Sequence, residues 1–128
     1  MKRTILLVED NEQSRYLAKF LLQRHGFEIV DAPDGKSALA AATASVPTAI
    51  LLDIHLPGMD GHAVARALRA APALAGVPII AVTSYAMAGD RDKALAAGCD
   101  GYLEKPIDPA TFVAEIEKIL AEPRTPRP

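Results

Sequence analysis

Six side chains in this sequence stand where they could do chemistry together: Glu9, Asp10, Asp53, Thr83, Ser84 and Lys105. Each follows a short apolar run, at 5–8, 49–52, 77–82 and 101–103 respectively. Three carboxylates brought close repel one another and raise one another's pKa unless a cation neutralises them. A hard, all-oxygen, partly open set suits Mg²⁺, with Mn²⁺ the other ion of that kind. Such an ion takes one or two carboxylates, keeps several waters and accepts phosphate oxygens. No glycine-rich cradle follows the first run, and Glu9 and Asp10 repel a bare phosphate, so phosphate enters only with a metal. Asp53 is then a candidate nucleophile that forms an aspartyl phosphate. Thr83 and Lys105 are placed to stabilise charge on the transferred group, which is most of what phosphoryl transfer asks of a protein.

Those side chains need a scaffold that delivers four loops to one place. The run 5–8 lacks polar alternation, as expected of a parallel strand covered on both faces. Leu17, Phe20 and Leu21 repeat at helical spacing before Gly26, a good C′ residue. A weaker strand over 27–30 precedes a helix over 35–44, whose inner face carries Ala38, Leu39 and Ala42. The third strand, 49–52, leads into a turn-rich segment where Asp60 caps a helix bearing Val64, Ala67 and Leu68. A fourth strand over 77–82, a helix ending at Gly98 and a short fifth strand over 101–103 follow. Asp108 at the N-cap and Pro109 at N1 open a last helix with Phe112, Ile116, Ile119 and Leu120 facing inward. Five strand–helix units in succession mean an α/β fold, one parallel sheet with helices on both faces. In such sheets ligands bind beyond the carboxyl ends of the strands, at the switch point. If the strand order is 2-1-3-4-5, the four strands that end in reactive groups are neighbours, and strand two, at the edge, contributes none.

The chain has 128 residues, enough for one core, and a formal net charge of −2, which gives no sign of wholesale nucleic-acid or anionic-membrane binding. No apolar run reaches membrane-spanning length. Cys99 is the sole cysteine, so no intramolecular disulfide forms, and a reducing cytoplasm is consistent with that. His25, His55 and His62 lack a metal-ligand spacing. Residues 1–121 are expected to be the folded domain, and 122–128 a disordered Pro/Arg tail.

Four blocks in register resemble response-regulator receiver domains, the CheY-like superfamily: residues 8–11 (Val-Glu-Asp-Asn), 52–61, 82–84 and 101–106. Residues 82–87 with Gly98 and Cys99 are further similar to the single-domain DivK-like subgroup. The resemblance implies the flavodoxin-like doubly wound fold, with order 2-1-3-4-5 and five helices. It implies Asp53 as phosphoacceptor, and Glu9, Asp10, Asp53 and the His55 main-chain carbonyl as ligands for Mg²⁺. Thr83 becomes the switch hydroxyl, Lys105 the phosphate-binding cation and Tyr102 the aromatic that follows Thr83. Lys105–Pro106 is expected to be cis. His55 and Tyr85 are the positions flanking the line of water attack, and so set the lifetime of the phosphoryl group. The implied partners are a histidine kinase or histidine phosphotransfer protein, and a downstream protein that reads the helix 4–strand 5–helix 5 face. A monomer or a weak phosphorylation-dependent dimer is expected, with no direct nucleic-acid contact and no membrane insertion.

Other readings stand beside this one. Read singly, each residue is ordinary: an acid after a strand caps a helix, and a lysine lies on the surface. An aspartate-nucleophile phosphohydrolase of the haloacid dehalogenase type needs a second aspartate two residues after the first, where this chain has His55. A receiver excised from a hybrid kinase, or one that docks partners without phosphorylation, is the remaining alternative, and the complete acid, Thr and Lys set argues against the latter.

Overall fold

The computed structural model describes residues 3–56, 60–84 and 89–122. Along the chain come β1 (Thr4–Val8), α1 (Glu12–Arg24), β2 (Glu28–Ala32), α2 (Gly35–Ala44), β3 (Ala49–Asp53) and α3 (Gly61–Ala70). A 3₁₀ turn (Pro72–Leu74) leads to β4 (Ile79–Thr83), α4 (Asp90–Ala96), β5 (Gly101–Glu104) and α5 (Phe112–Ala121). All strand pairs are parallel, in the order β2-β1-β3-β4-β5. The α/β fold with order 2-1-3-4-5 is therefore the one the sequence led us to expect.

The unbroken apolar strands have a direct structural cause. Successive side chains point to opposite faces, and here both faces are dry. Leu6, Val8, Ile50, Leu52, Ile79 and Ala81 join one core, with Ala38, Ala42, Val64, Ala65, Leu68 and Ala94 from α2, α3 and α4. Ile5, Leu7, Ala49, Leu51, Ile80 and Val82 join a second, with Ala18, Leu22, Phe112, Val113 and Ile116 from α1 and α5. The sheet is thus a partition between two separate cores.

Caps fix where the helices begin. Asn11, Asp34 and Asp60 each accept a backbone N–H of the first turn, from Ser14, Ser37 and His62, which satisfies donors that a helix leaves orphaned. α1 is followed by Gly26 at φ +88°, a conformation that costs glycine little. The α3 start is tighter. A Cβ at Gly61 would stand 2.3 Å from Ile54 Cα and 2.6 Å from its carbonyl oxygen, so only glycine lets α3 pass against the end of β3. Gly61→Ala is expected to cost about 3 kcal/mol, seen as a lower urea midpoint with an unchanged slope. An unaltered midpoint would mean the backbone yields there.

Three local expectations need correction. Phe20 does not face the core: α1 buries Ala18 and Leu22, while Phe20 is 45% exposed and Tyr16 72%. Their rings stack outside, 6.4 Å apart and within 9° of parallel, and Arg24 lies over Phe20. On α3 the inward residue is Ala65, and Ala67 is exposed. The last helix starts at Phe112, with Thr111 at its N-cap. Asp108 instead closes the preceding turn, accepting Ala110 N–H on its side chain at 2.9 Å and the N–H groups of Thr111 and Phe112 on its carbonyl. An Asx turn and a helix cap use the same chemistry, so the Asp-Pro signal was right about a turn and early about the helix.

Candidate functional site

The carboxyl ends of β1, β3, β4 and β5 lie side by side, and the predicted residues collect there. Val8 pairs with Leu52, Asp53 with Val82 and Thr83 with Glu104. Glu9, Asp10 and Asp53 each offer a carboxylate oxygen, all within 4.8 Å of one another. Glu9 and Asp53 are buried, at 4% and 6% exposure, while Asp10 is open to solvent. The cleft above them is lined by Asp10, Asn11, Glu12, Ser14, Asp53, His55, Ser84 and Lys105.

Lys105 ties this site together. Its Nζ donates to Glu9 Oε1 and lies 3.2 Å from Asp53 Oδ2. The other oxygens are held by main chain: Asn11 N–H donates to Glu9 Oε2 at 3.2 Å, and His55 N–H to Asp53 Oδ1 at 2.9 Å. The electrostatics follow from burial. Loss of water raises the Glu9 carboxyl above the ordinary range, and Asp53 adds to the effect, against a lowering pull from Lys105. Burial alone would lower the Lys105 ammonium, but the hydrogen bond it donates to Glu9 and the charges of both acids outweigh it and leave its pKa raised. Lys105–Pro106 is a cis peptide bond.

Thr83 and Tyr102 do not line the cleft itself. Thr83 is fully buried at the end of β4, and Ser84, one residue on, is the hydroxyl residue that lines the cleft. Tyr102 pairs with Ala81 and packs against the α2–α4 core. Its phenol is pushed above its usual value by burial first, then by the charges of Asp90 and Glu104, with the Thr83 hydroxyl working the other way. His55 presents an exposed side chain at the mouth of the cleft. Tyr85 lies outside the described residues. The reading of the sequence missed Asn11, Glu12 and Ser14 as cleft residues. The Asn11 side chain caps α1 by accepting Ser14 N–H at 2.9 Å, and an Asn three residues before a Ser at a helix start was the available signal.

The donor set fits a hard divalent cation: three carboxylates, one of them facing solvent, and no sulfur or imidazole among the clustered oxygens. Among the described residues no helix is long and apolar enough to cross a membrane.

Comparison with known proteins agrees. Residues 5–117 match the family model described as the response regulator receiver domain. The chain is 35% identical over 122 residues to the polar-differentiation response regulator DivK of Brucella anthropi, covering 95% of this chain and 99% of that one. Among solved structures, the Vibrio cholerae chemotaxis protein CheY4 superposes with a TM-score of 0.88 at 28% identity, over 93% of this chain and 99% of that one. The receiver domain of a Pseudomonas aeruginosa PAO1 sensor histidine kinase gives 0.86 at 34% identity, over 95% and 100%, and carries a magnesium ion coordinated in its active-site cleft. The family match, over residues 5–117, runs through every strand and into α5. This chain belongs to the response regulator receiver domain family of two-component signalling.

Proposed function

We propose that the chain is a phosphorylation-operated switch in which Asp53 accepts a phosphoryl group from a phosphohistidine. The observation that carries this is the Asp53 carboxylate itself: buried, held by His55 N–H, and facing Lys105 in a cleft beside two further acids. An oxygen of Asp53 attacks phosphorus, the bond from phosphorus to the donor imidazole breaks, and that imidazole leaves with the electron pair. Lys105 meets charge on the phosphoryl oxygens. Glu9, Asp10, Asp53 and the His55 carbonyl would hold Mg²⁺, which supplies charge neutralisation for the incoming phosphate. The test is intact mass after incubation with acetyl phosphate and Mg²⁺. Wild type should gain the mass of one phosphoryl group and Asp53→Asn none. Equal uptake by the two proteins would remove Asp53 from the role.

The donor is a histidine kinase or a histidine phosphotransfer protein. The exposed Tyr16–Phe20 stack begins one helical turn from Glu12 at the cleft mouth, and gives such a protein an apolar patch to rest on. Thr83 is the switch hydroxyl and Tyr102 its follower. Both lie on the α4 side of the sheet, so a change at Thr83 reaches the surface of α4, β5 and α5 through Tyr102. Thr83→Ala should still accept phosphate but bind the downstream partner about as weakly as unphosphorylated protein, measured by titration of the phosphorylated forms. Equal affinity for phosphorylated wild type and variant would exclude Thr83. The switch works in the cytoplasm as a monomer or a weak dimer, through protein contact alone. Residues 1–121 form the domain, and His55 with Tyr85 sets the phosphoryl lifetime.

A further inference from the structure

The two buried carboxylates of the cleft have four oxygens, and each has a partner. Main-chain N–H groups of Asn11 and His55 take Glu9 Oε2 and Asp53 Oδ1, and Lys105 takes Glu9 Oε1 and Asp53 Oδ2. Lys105 therefore occupies the oxygens that the main chain leaves open. Its side chain is only 11% exposed, against 5% for Glu9 and 7% for Asp53. The Glu9 carboxylate that meets the ammonium stands one methylene further from the backbone than an aspartate's would.

We propose that Glu9 is a positioning residue that clamps Lys105 between the two carboxylates, so that the ammonium is released to the phosphoryl group only once a divalent cation has taken those oxygens. The inference rests on the reading of the cleft given above and adds an order to it: cation first, phosphoryl donor second. With Lys105 down, the cleft offers an incoming phosphate mainly negative charge. When Glu9 and Asp53 turn to a cation, the same lysine becomes the group that meets the phosphate. Competition for shared oxygens is a coupling free energy, and it must appear reciprocally in cation affinity.

The experiment needs no phosphoryl donor. Mg²⁺ dissociation constants are measured by calorimetry or NMR titration for wild type, Glu9→Asp, Lys105→Met and the double variant. Lys105→Met alone is expected to tighten Mg²⁺ about tenfold, but simple charge repulsion between lysine and cation predicts that as well. The clamp is read from the cycle. Shortening Glu9 also changes its reach as a ligand, and its effect in the Lys105→Met background isolates that part. The clamp requires Glu9→Asp to favour Mg²⁺ binding about fivefold more when Lys105 is present than when it is absent. Identical effects in the two backgrounds would overturn it. A second measurement uses wild type only. The Lys105 Nζ protons should exchange slowly without metal and lose that protection at saturating Mg²⁺, whereas protection that persists at saturation also overturns the clamp. If Asp53 accepts phosphate but the cycle shows no coupling, the clamp fails and the switch stands. If Asp53 accepts none, the switch fails while the cycle still reports on Glu9 and Lys105.

Discussion

Arg69→Ala is expected to cost the fold about 3–5 kcal/mol, among the largest effects of any single substitution in this chain. Arg69 leaves α3 beneath the sheet and donates to three main-chain carbonyls: Gly98 from both Nε and Nη2, Leu74 at 2.9 Å and Ala75 at 3.1 Å. It also pairs with Asp100 at 2.7 Å, and the same Asp100 oxygen accepts Ile79 N–H at 2.9 Å. Both side chains are largely buried, at 15% and 16% exposure. One guanidinium thus joins the end of α3, the 3₁₀ turn, the α4–β5 connection and the first residue of β4. Truncation strips the part-buried Asp100 carboxylate of its counter-charge and takes one or more donors from the Gly98, Leu74 and Ala75 carbonyls, and buried groups that lose such partners carry a desolvation cost. With a urea slope of about 1.5 kcal/mol/M, the midpoint should fall by about 2 M or more. Asp100→Asn keeps an acceptor for Ile79 N–H and should lose less. A midpoint for Arg69→Ala within about 0.5 M of wild type would show that water replaces the network at little cost.

The second large effect is conditional on metal. Lys105→Met removes the counter-charge of two buried carboxylates and should destabilise the metal-free protein by about 3 kcal/mol. Millimolar Mg²⁺ should restore most of that, because a ligand at 100 times its dissociation constant adds about 2.7 kcal/mol. Urea titrations at neutral pH, with and without Mg²⁺, check both halves. A metal-free variant as stable as wild type would mean the two acids tolerate each other unpaired. The pH dependence has a definite sign. The raised Glu9 pKa means that its contribution to stability is complete below pH 4.5 and is lost as pH rises through the folded value. The raised Lys105 pKa contributes stability below pH 10.5 that is lost as pH climbs beyond it. In Lys105→Met the lowering pull on Glu9 is gone. Metal-free stability should therefore fall more steeply between pH 5 and neutrality than in wild type.

The sheet and most of the cleft were legible in the sequence because both rest on one-dimensional signals. Apolar runs marked the strands, and reactive residues directly after them marked the strand ends. What was not legible depended on choosing between equivalent local patterns or on distant pairs. The α1 stripe Leu17-Phe20-Leu21 and the observed face of Ala18 and Leu22 fit helical spacing equally well. Which of the two meets the sheet is decided by tertiary packing: Ala18 and Leu22 join the second core, and Leu21 packs against its side. The Arg69–Asp100 tie links positions 31 apart, with no periodicity to announce it. Lys105 could be placed in the cleft, but its double engagement with Glu9 and Asp53 depends on side-chain reach, which spacing does not encode.

The partition of the interior has a consequence for how such a protein can diversify. Asp53 follows Leu51 on the strand, on the side of α1 and α5, while Thr83 and Tyr102 belong to the side of α2, α3 and α4. Substitutions far apart, with no shared neighbours, act nearly independently. If a donor rests on α1 as proposed above, the residues that fit it can therefore drift without loosening the layer beneath α4, and the reverse also holds. A duplicated copy of this gene could acquire a new upstream partner while keeping its old listener. Only the few side chains at the strand tips, which belong to both layers at once, would be barred from change.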